Sequence, residues 1–237
     1  RRFNELNIHE TNKWDVYAKC DNIALNSMAQ AFWRIYMYQQ GANKHFEREA
    51  KVIWKYFEKC LKKDIRPFKY KHRALAWSCG STYYDSATCW LYQCWGILTV
   101  INMDSLTGHN IVDTEDRDEM MSDIADLYAR SPMRTHTVGG NRHILMMFET
   151  AAKFNCDMIV MYDDIGCKGM AGCQGLLEEE FRKHPEFHIM WMPHALMDCR
   201  TVPTAEARKV VNDYMTTVLH EEPVDPSLVD FDDSEGW

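Results

Sequence analysis

The sequence predicts an α/β fold: a four-stranded parallel, flavodoxin-like sheet with helices on both faces and a helical N-terminal extension. Three observations carry this. Short apolar runs recur at 74–78, 97–101, 158–162 and 188–192, each too short for an ordinary helix. Stretches with apolar residues three and four apart separate them, and such alternation implies βαβ units and a parallel sheet. Residues 10–63, by contrast, keep a helical apolar period throughout.

Taken in order, Ala24, Leu25, Met28, Ala31, Phe32, Ile35 and Tyr36 repeat at helical spacing, as do Phe46, Ala50, Ile53, Trp54 and Phe57. Gly41 to Asn43 breaks one helix from the next, and a basic connector with Pro67 runs from Lys62 to Lys71. The first strand, 73–78, stops at Cys79-Gly80. A helix over 83–95 is capped by Gly96, and the second strand is 97–101. Helices over 115–129 and from Gly139-Gly140 to Phe154 flank a break at Ser131-Pro132. The third strand is 157–162 with its helix over 171–184, and the fourth is 188–192. A last helix follows Pro203, with Thr201 or Thr204 as its cap, and ends near His220. The expected domains are a helical segment over 1–70, an α/β domain over 71–222 and an acidic tail over 223–237 that reads as a solvated end. The chain starts without Met and already with helical polarity. Residues 1–70 are therefore expected to link to an N-terminal domain outside this sequence.

Composition narrows the function. The 237 residues carry a net charge of −8 without any basic block, which argues against nucleic acid. No apolar run reaches the roughly 18–20 residues that span a bilayer, and the polar start is no signal peptide. Nine cysteines without framework spacing read as reduced thiols of a cytoplasmic protein, most of them core residues.

The strands' carboxyl ends are the rim where open α/β sheets bind ligands. They present Ser78-Cys79-Gly80, Asp104, Asp163 through Lys168, and Pro193 through Cys199. Within this set Gly166-Cys167-Lys168 is the most informative. It sets a thiol between a strand end and a helix start, where a helix terminus and a lysine favour the thiolate. Gly166 there permits a close approach or a left-handed turn. Cys79 and Cys199 read as rim or core residues, Asp198 with Arg200 as a local ion pair, and His194 as a satisfied hydrogen-bonding residue. A zinc site from Cys167, Cys173 and His194 or Cys199 departs from the usual ligand spacing, and Cys173 reads as packing. Gly139-Gly140 before a helix could hold a phosphate on free amides or merely cap it. Phosphate-loop, dinucleotide and nucleophile-elbow signatures are absent.

Two longer stretches carry a resemblance. Lys71-His-Arg-Ala-Leu-Ala-Trp-Ser-Cys-Gly80 followed by Gly96-Ile-Leu-Thr-Val-Ile101 resembles the first βαβ unit in the second half of the 2-hydroxyacyl-CoA dehydratase D-component family, whose relatives include class I benzoyl-CoA reductase subunits. Asn155-Cys-Asp-Met-Ile-Val160, Gly166-Cys-Lys168 and then Ile189 to Asp198-x-Arg200 resemble that family's later motifs. The resemblance implies the iron–sulfur subunit of an anaerobic (R)-2-hydroxyacyl-CoA dehydratase, a lyase that eliminates water through a ketyl radical. It also implies a 4Fe-4S cluster, a homologous second subunit in a heterodimer, an ATP-dependent activator protein and an acyl-CoA substrate. Cys167 matches one of three cluster ligands, with Gly166 and Lys168 beside it. The other two ligands belong to the family's N-terminal domain and have no counterpart here, nor do its acid/base residues. Lys168, Arg142 and Arg200 are the candidates for contacting the anionic CoA. A benzoyl-CoA-type or double-cubane-cluster reductase subunit, or a non-catalytic partner subunit, would fit the same motifs.

Overall fold

The computed structural model of the chain describes residues 1–21, 44–78, 87–103, 111–130, 141–196, 198 and 200–231. Two compact units are resolved, one of residues 1–68 with 104–146, the other of residues 69–103 with 147–237.

In the first unit, α1 (Arg2–Tyr17) packs on α2 (Lys44–Lys62). Leu6, Trp14, Tyr17, Ala50, Phe57 and Cys60 are buried between or beside them, with the Tyr17 and Phe57 rings 4.8 Å apart. Residues 22–43 lie outside the described residues, so the expected break at Gly41 to Asn43 does too. On α2, Trp54 stacks on His9 at 5.7 Å, while Tyr56 is exposed.

The second unit holds the sheet. In chain order come β1 (His72–Trp77), α3 (Ala87–Trp95) and β2 (Ile97–Asn102). The first unit then contributes α4 (Arg117–Ala129), whose start Asp116 caps by accepting from the Asp118 and Glu119 amides, at 2.8 and 2.9 Å. Next, α5 (Asn141–Lys153) leads into β3 (Met158–Asp164), α6 (Lys168–Phe181), β4 (His188–His194) and α7 (Thr204–Asp213). All strand pairs are parallel and the order is β2-β1-β3-β4.

Alternation along the strands sorts side chains onto two faces. Ala74, Ala76, Met158, Val160, Tyr162, Met190 and Met192 meet Trp90, Leu91 and Cys94 of α3 and Ala207 and Val211 of α7 in one core. On the other face the Phe181 ring of α6 lies 5.8 Å from Trp191 and 6.0 Å from Phe148 of α5. Both faces are therefore covered, as the apolar runs require. The edge strand β4 tolerates Pro193, which has no amide to donate.

Several boundaries differ from the expected ones, each for a local reason. β3 and β4 each run two residues further, because Asp163 pairs with Pro193 and Asp164 with His194. α6 starts at Lys168 rather than 171, since the Cys167 carbonyl already accepts from the Ala171 amide at 3.1 Å. α7 stops at Asp213 and opens into a π-turn over Tyr214–Val218, where the Thr216 hydroxyl bonds back to the Asn212 carbonyl at 2.7 Å. The tail is not a freely solvated end through residue 229. Val224 donates to the Cys94 carbonyl at 2.7 Å, and the Trp90 indole donates to that of Leu228 at 2.9 Å.

Candidate functional site

Strand order nominates the place. The connection from β1 leads one way to β2 and that from β3 the other way to β4, so the order reverses between β1 and β3. Ligands of open α/β sheets bind outside the carboxyl ends at such a switch point. Immediately after β1, Ser78 has a left-handed φ of 71°. For a residue with a Cβ that conformation costs about 1–2 kcal/mol, and such strain gathers at functional sites.

β3 delivers Asp163, Asp164 and then the turn to Cys167. Asp164 wires the turn: its Oδ1 accepts from the Gly166 amide at 3.1 Å and from the Leu196 amide, beyond β4, at 3.2 Å. Two backbone bonds complete the tie, Ile165 to the His194 carbonyl at 3.1 Å and Cys167 to that of Asp164 at 2.9 Å. Cys167 is thereby fixed as the N-cap of α6, its thiol free, partly exposed and making no cap hydrogen bond. The unbonded first-turn amides of α6 place partial positive charge at this position. Lys168 follows, exposed.

Gly166 is not left-handed, which corrects one of the two roles expected of it. A Cβ there would meet only the Asp164 Oδ1, at an ordinary 3.4 Å. The turn is thus open on that side among the described residues.

His194 departs from expectation. It is 4% exposed, and neither ring nitrogen has a hydrogen-bond partner among the described residues. Its ring meets Tyr162 edge-on at 5.5 Å. Burial pushes the imidazole pKa down, against the pull of the Asp164 and Asp163 carboxyls, so the ring is held neutral. Asp163 shifts the other way: burial raises its pKa and Asp164 adds to the rise, while His194 opposes it. A buried polar group without partners is rare and calls for an explanation. Sequence reasoning put His194 on the rim but read it as satisfied. No local signal separates the two states, because partners come from other strands.

Cys79, Cys199, Asp104 and the Gly139-Gly140 turn lie outside the described residues. Arg200 is held by Asp198 in a two-pronged pair, Nε to Oδ1 at 2.9 Å and Nη2 to Oδ2 at 2.8 Å, as expected of a local ion pair. That pairing pulls the Asp198 carboxyl down to about 2. Arg142 is exposed in the first turn of α5. Cys173 is partly buried and donates to the Met170 carbonyl at 3.4 Å. Burial raises its pKa first, and the nearby Cys167 adds to the rise. Among the described residues, Cys167, Cys173 and His194 do not converge on metal-binding distances. None of the described cysteines is in a disulfide, and Cys20, Cys60, Cys94 and Cys156 are buried. Burial pushes the Cys94 and Cys156 thiols up to about 11 and about 12, which leaves them inert. No described helix is long and apolar enough to cross a membrane.

The sequence profile of the family described as 2-hydroxyglutaryl-CoA dehydratase, D-component, matches residues 11–198. No curated protein matches the chain.

Proposed function

Because the chain belongs to the 2-hydroxyglutaryl-CoA dehydratase D-component family, we propose that it is the iron–sulfur subunit of an (R)-2-hydroxyacyl-CoA dehydratase, with Cys167 as one thiolate ligand of a 4Fe-4S cluster. The family is one of dehydratase components, lyase-type proteins that work in a complex with others. The observation that carries the finer reading is the Cys167 thiol: free, partly exposed, uncommitted to any cap bond and held at the carboxyl end of β3. A structural cysteine would be buried, as Cys156 is at 7% exposure. The donor chemistry fits, since iron–sulfur clusters take thiolates. Such a cluster supplies one-electron chemistry and an iron able to polarise an oxygen of the substrate.

The chain's own residues have separate tasks in this reading. Asp164 holds the Cys167 turn against the end of β4 through its two amide bonds. His194, neutral and without a partner, is the rim group suited to accept a proton, with Asp163 and Asp164 beside it to stabilise the imidazolium. Lys168 offers positive charge to the CoA phosphates. Arg200 serves only if a phosphate displaces Asp198 from its guanidinium. Partners in this reading are a homologous second subunit and an ATP-hydrolysing activator that delivers the electron.

The test is anaerobic reconstitution of the full chain with its partner subunit and activator. Cys167→Ser is expected to lose most bound iron and all turnover, because a hydroxyl is a poor substitute for a thiolate. Cys173→Ser, Cys79→Ser and Cys199→Ser are expected to keep their iron. Unchanged iron in Cys167→Ser would overturn the assignment and favour a non-catalytic partner subunit. A reduced rather than a dehydrated product would assign the chain to the benzoyl-CoA-type or double-cubane-cluster reductases.

A further inference from the structure

The opposite rim, at the amino ends of the strands, carries a second polar cluster that the dehydratase reading does not use. His72 opens β1, Asp157 immediately precedes β3 and His188 opens β4, and these three strands are neighbours in the sheet. One ligand atom from each, an imidazole nitrogen or a carboxylate oxygen, lies within 4.8 Å of the other two. Glu221, from the segment after α7, reaches the same place and accepts from His72 Nε2 at 2.8 Å.

We propose that His72, Asp157 and His188 form a binding site for a divalent transition metal of the zinc type, with Glu221 as the carboxylate that orients His72. The donor set, two imidazoles and a carboxylate without thiol, is one that three-ligand zinc sites use, leaving a fourth position for water. It is therefore chemically distinct from the thiolate site at the other rim and independent of it.

Three features support the site beyond proximity. The first is pinning. Asp157 Oδ1 is held by the Arg73 amide at 2.6 Å, which leaves Oδ2 for a metal, and Glu221 holds His72 from behind. A carboxylate on the far nitrogen of a ligating histidine fixes its tautomer and raises its basicity, the usual outer partner of a metal-bound imidazole. The second is reach. Bonds of about 2.0–2.1 Å in a tetrahedron put ligand atoms about 3.3 Å apart. His72 Nδ1 and Asp157 Oδ2, now 2.7 Å apart, need only part slightly. His188 must move in by at most about 1.5 Å, and it is the exposed member of the three, on an edge strand.

The third is charge. The Asp157 and Glu221 carboxylates flank His72 at 2.7 and 2.8 Å, and two anionic groups gathered at one place favour a bound cation. Lys71, 3.3 Å from Glu221 and bonded to the Glu222 carbonyl, already steadies the outer carboxylate.

The experiment is cobalt titration of the full, reduced chain after dialysis against chelator. One equivalent is expected to give the visible absorption of nitrogen- and oxygen-ligated Co2+, without the thiolate-to-cobalt charge-transfer band that cysteine ligation produces. Zn2+ should displace the ion and bleach the spectrum. His188→Ala, a change at an exposed position with little risk to folding, should weaken cobalt binding at least tenfold. Asp157→Asn should do the same, and Glu221→Gln should cost roughly 10–100-fold. Absence of the spectrum, survival of full affinity in His188→Ala, or a charge-transfer band lost with Cys167→Ser would each overturn the proposal. The last outcome would move the metal to the thiol rim.

Discussion

Removing the Asp164 carboxyl tests whether the Cys167 turn is held as the geometry states. Asp164 Oδ1 accepts two amides, Gly166 at 3.1 Å and Leu196 at 3.2 Å, and so joins the β3 exit to the β4 exit. A hydrogen bond to a charged acceptor contributes about 1.5–3 kcal/mol when well shielded. Here the carboxyl is only partly buried and the Gly166 amide is exposed, so water recovers much of the loss in the variant. Asp164→Ala is therefore expected to cost about 1–2 kcal/mol in all, and Asp164→Asn, which keeps an uncharged acceptor, about half of that. With a slope of about 2 kcal/mol/M, the alanine variant's urea midpoint falls by about 0.5–1 M at constant slope. The local consequence is more specific than the global one. With the turn released, alkylation of Cys167, followed by peptide mapping under native conditions, should speed up, while that of exposed Cys89 should not. An alanine variant whose urea midpoint and Cys167 labelling rate both match the wild type would refute the claim that Asp164 positions the thiol.

Other expectations concern single residues. His194→Phe removes a buried imidazole whose nitrogens lack partners, so it should leave stability unchanged or raise it by about 1 kcal/mol, while turnover falls by roughly 10²-fold; a destabilised but fully active variant would mean that His194 only packs. Gly96→Ala should destabilise by about 1–2 kcal/mol, because Gly96 has a φ of 71° and a Cβ would meet the Lys71 amide nitrogen and Val224 Cγ2 at 3.3 Å; thermal unfolding of the variant reads this directly. The amino-rim network should set a stability window in pH, measured by urea titration with a chelator present. Burial lowers the His72 pKa, but hydrogen bonds and charge from Asp157 and Glu221 outweigh it and the net shift is upward. Its contribution is thus complete below its ordinary value and is lost as pH rises through the folded value. Burial raises Asp157 and Glu221, but the bonds to His72, with the Arg73 amide and Lys71, bring both down overall. Their contribution is present above ordinary carboxylate values and is lost as pH falls through the folded ones, so stability from this network should peak between the carboxylate and imidazole ranges and vanish in His72→Phe.

Much of the fold could be read along the chain, because strands and helices leave local periods. The six residues His72–Trp77 are all buried, which is why the strand is apolar from Ala74 on, while Arg73 before it bonds the Phe154 carbonyl at 2.7 Å. Gly96 announced the end of α3 by chemistry that only glycine meets without strain. The limits of β3 and β4 were less legible, since polar residues 163, 164 and 194 continue the ladder only because a neighbouring strand pairs with them. The docking of the tail was illegible for the same reason. Its bonds run to Cys94 and Trp90, more than a hundred residues away.

By itself, then, the sequence determined the α/β class, the number and place of the strands, the family and the position of Gly166-Cys167-Lys168 beyond a strand end. Those are properties of short windows, where side-chain period, turn chemistry and motif spacing act within a few residues. Only the tertiary structure decided which rim groups stand together: that Asp164 holds the Cys167 turn, that His194 is buried without a partner, and that His72, Asp157, His188 and Glu221 meet at the opposite rim. Each of these depends on strand order and register. These arise when distant segments bury their apolar faces against one another, and no local window contains them.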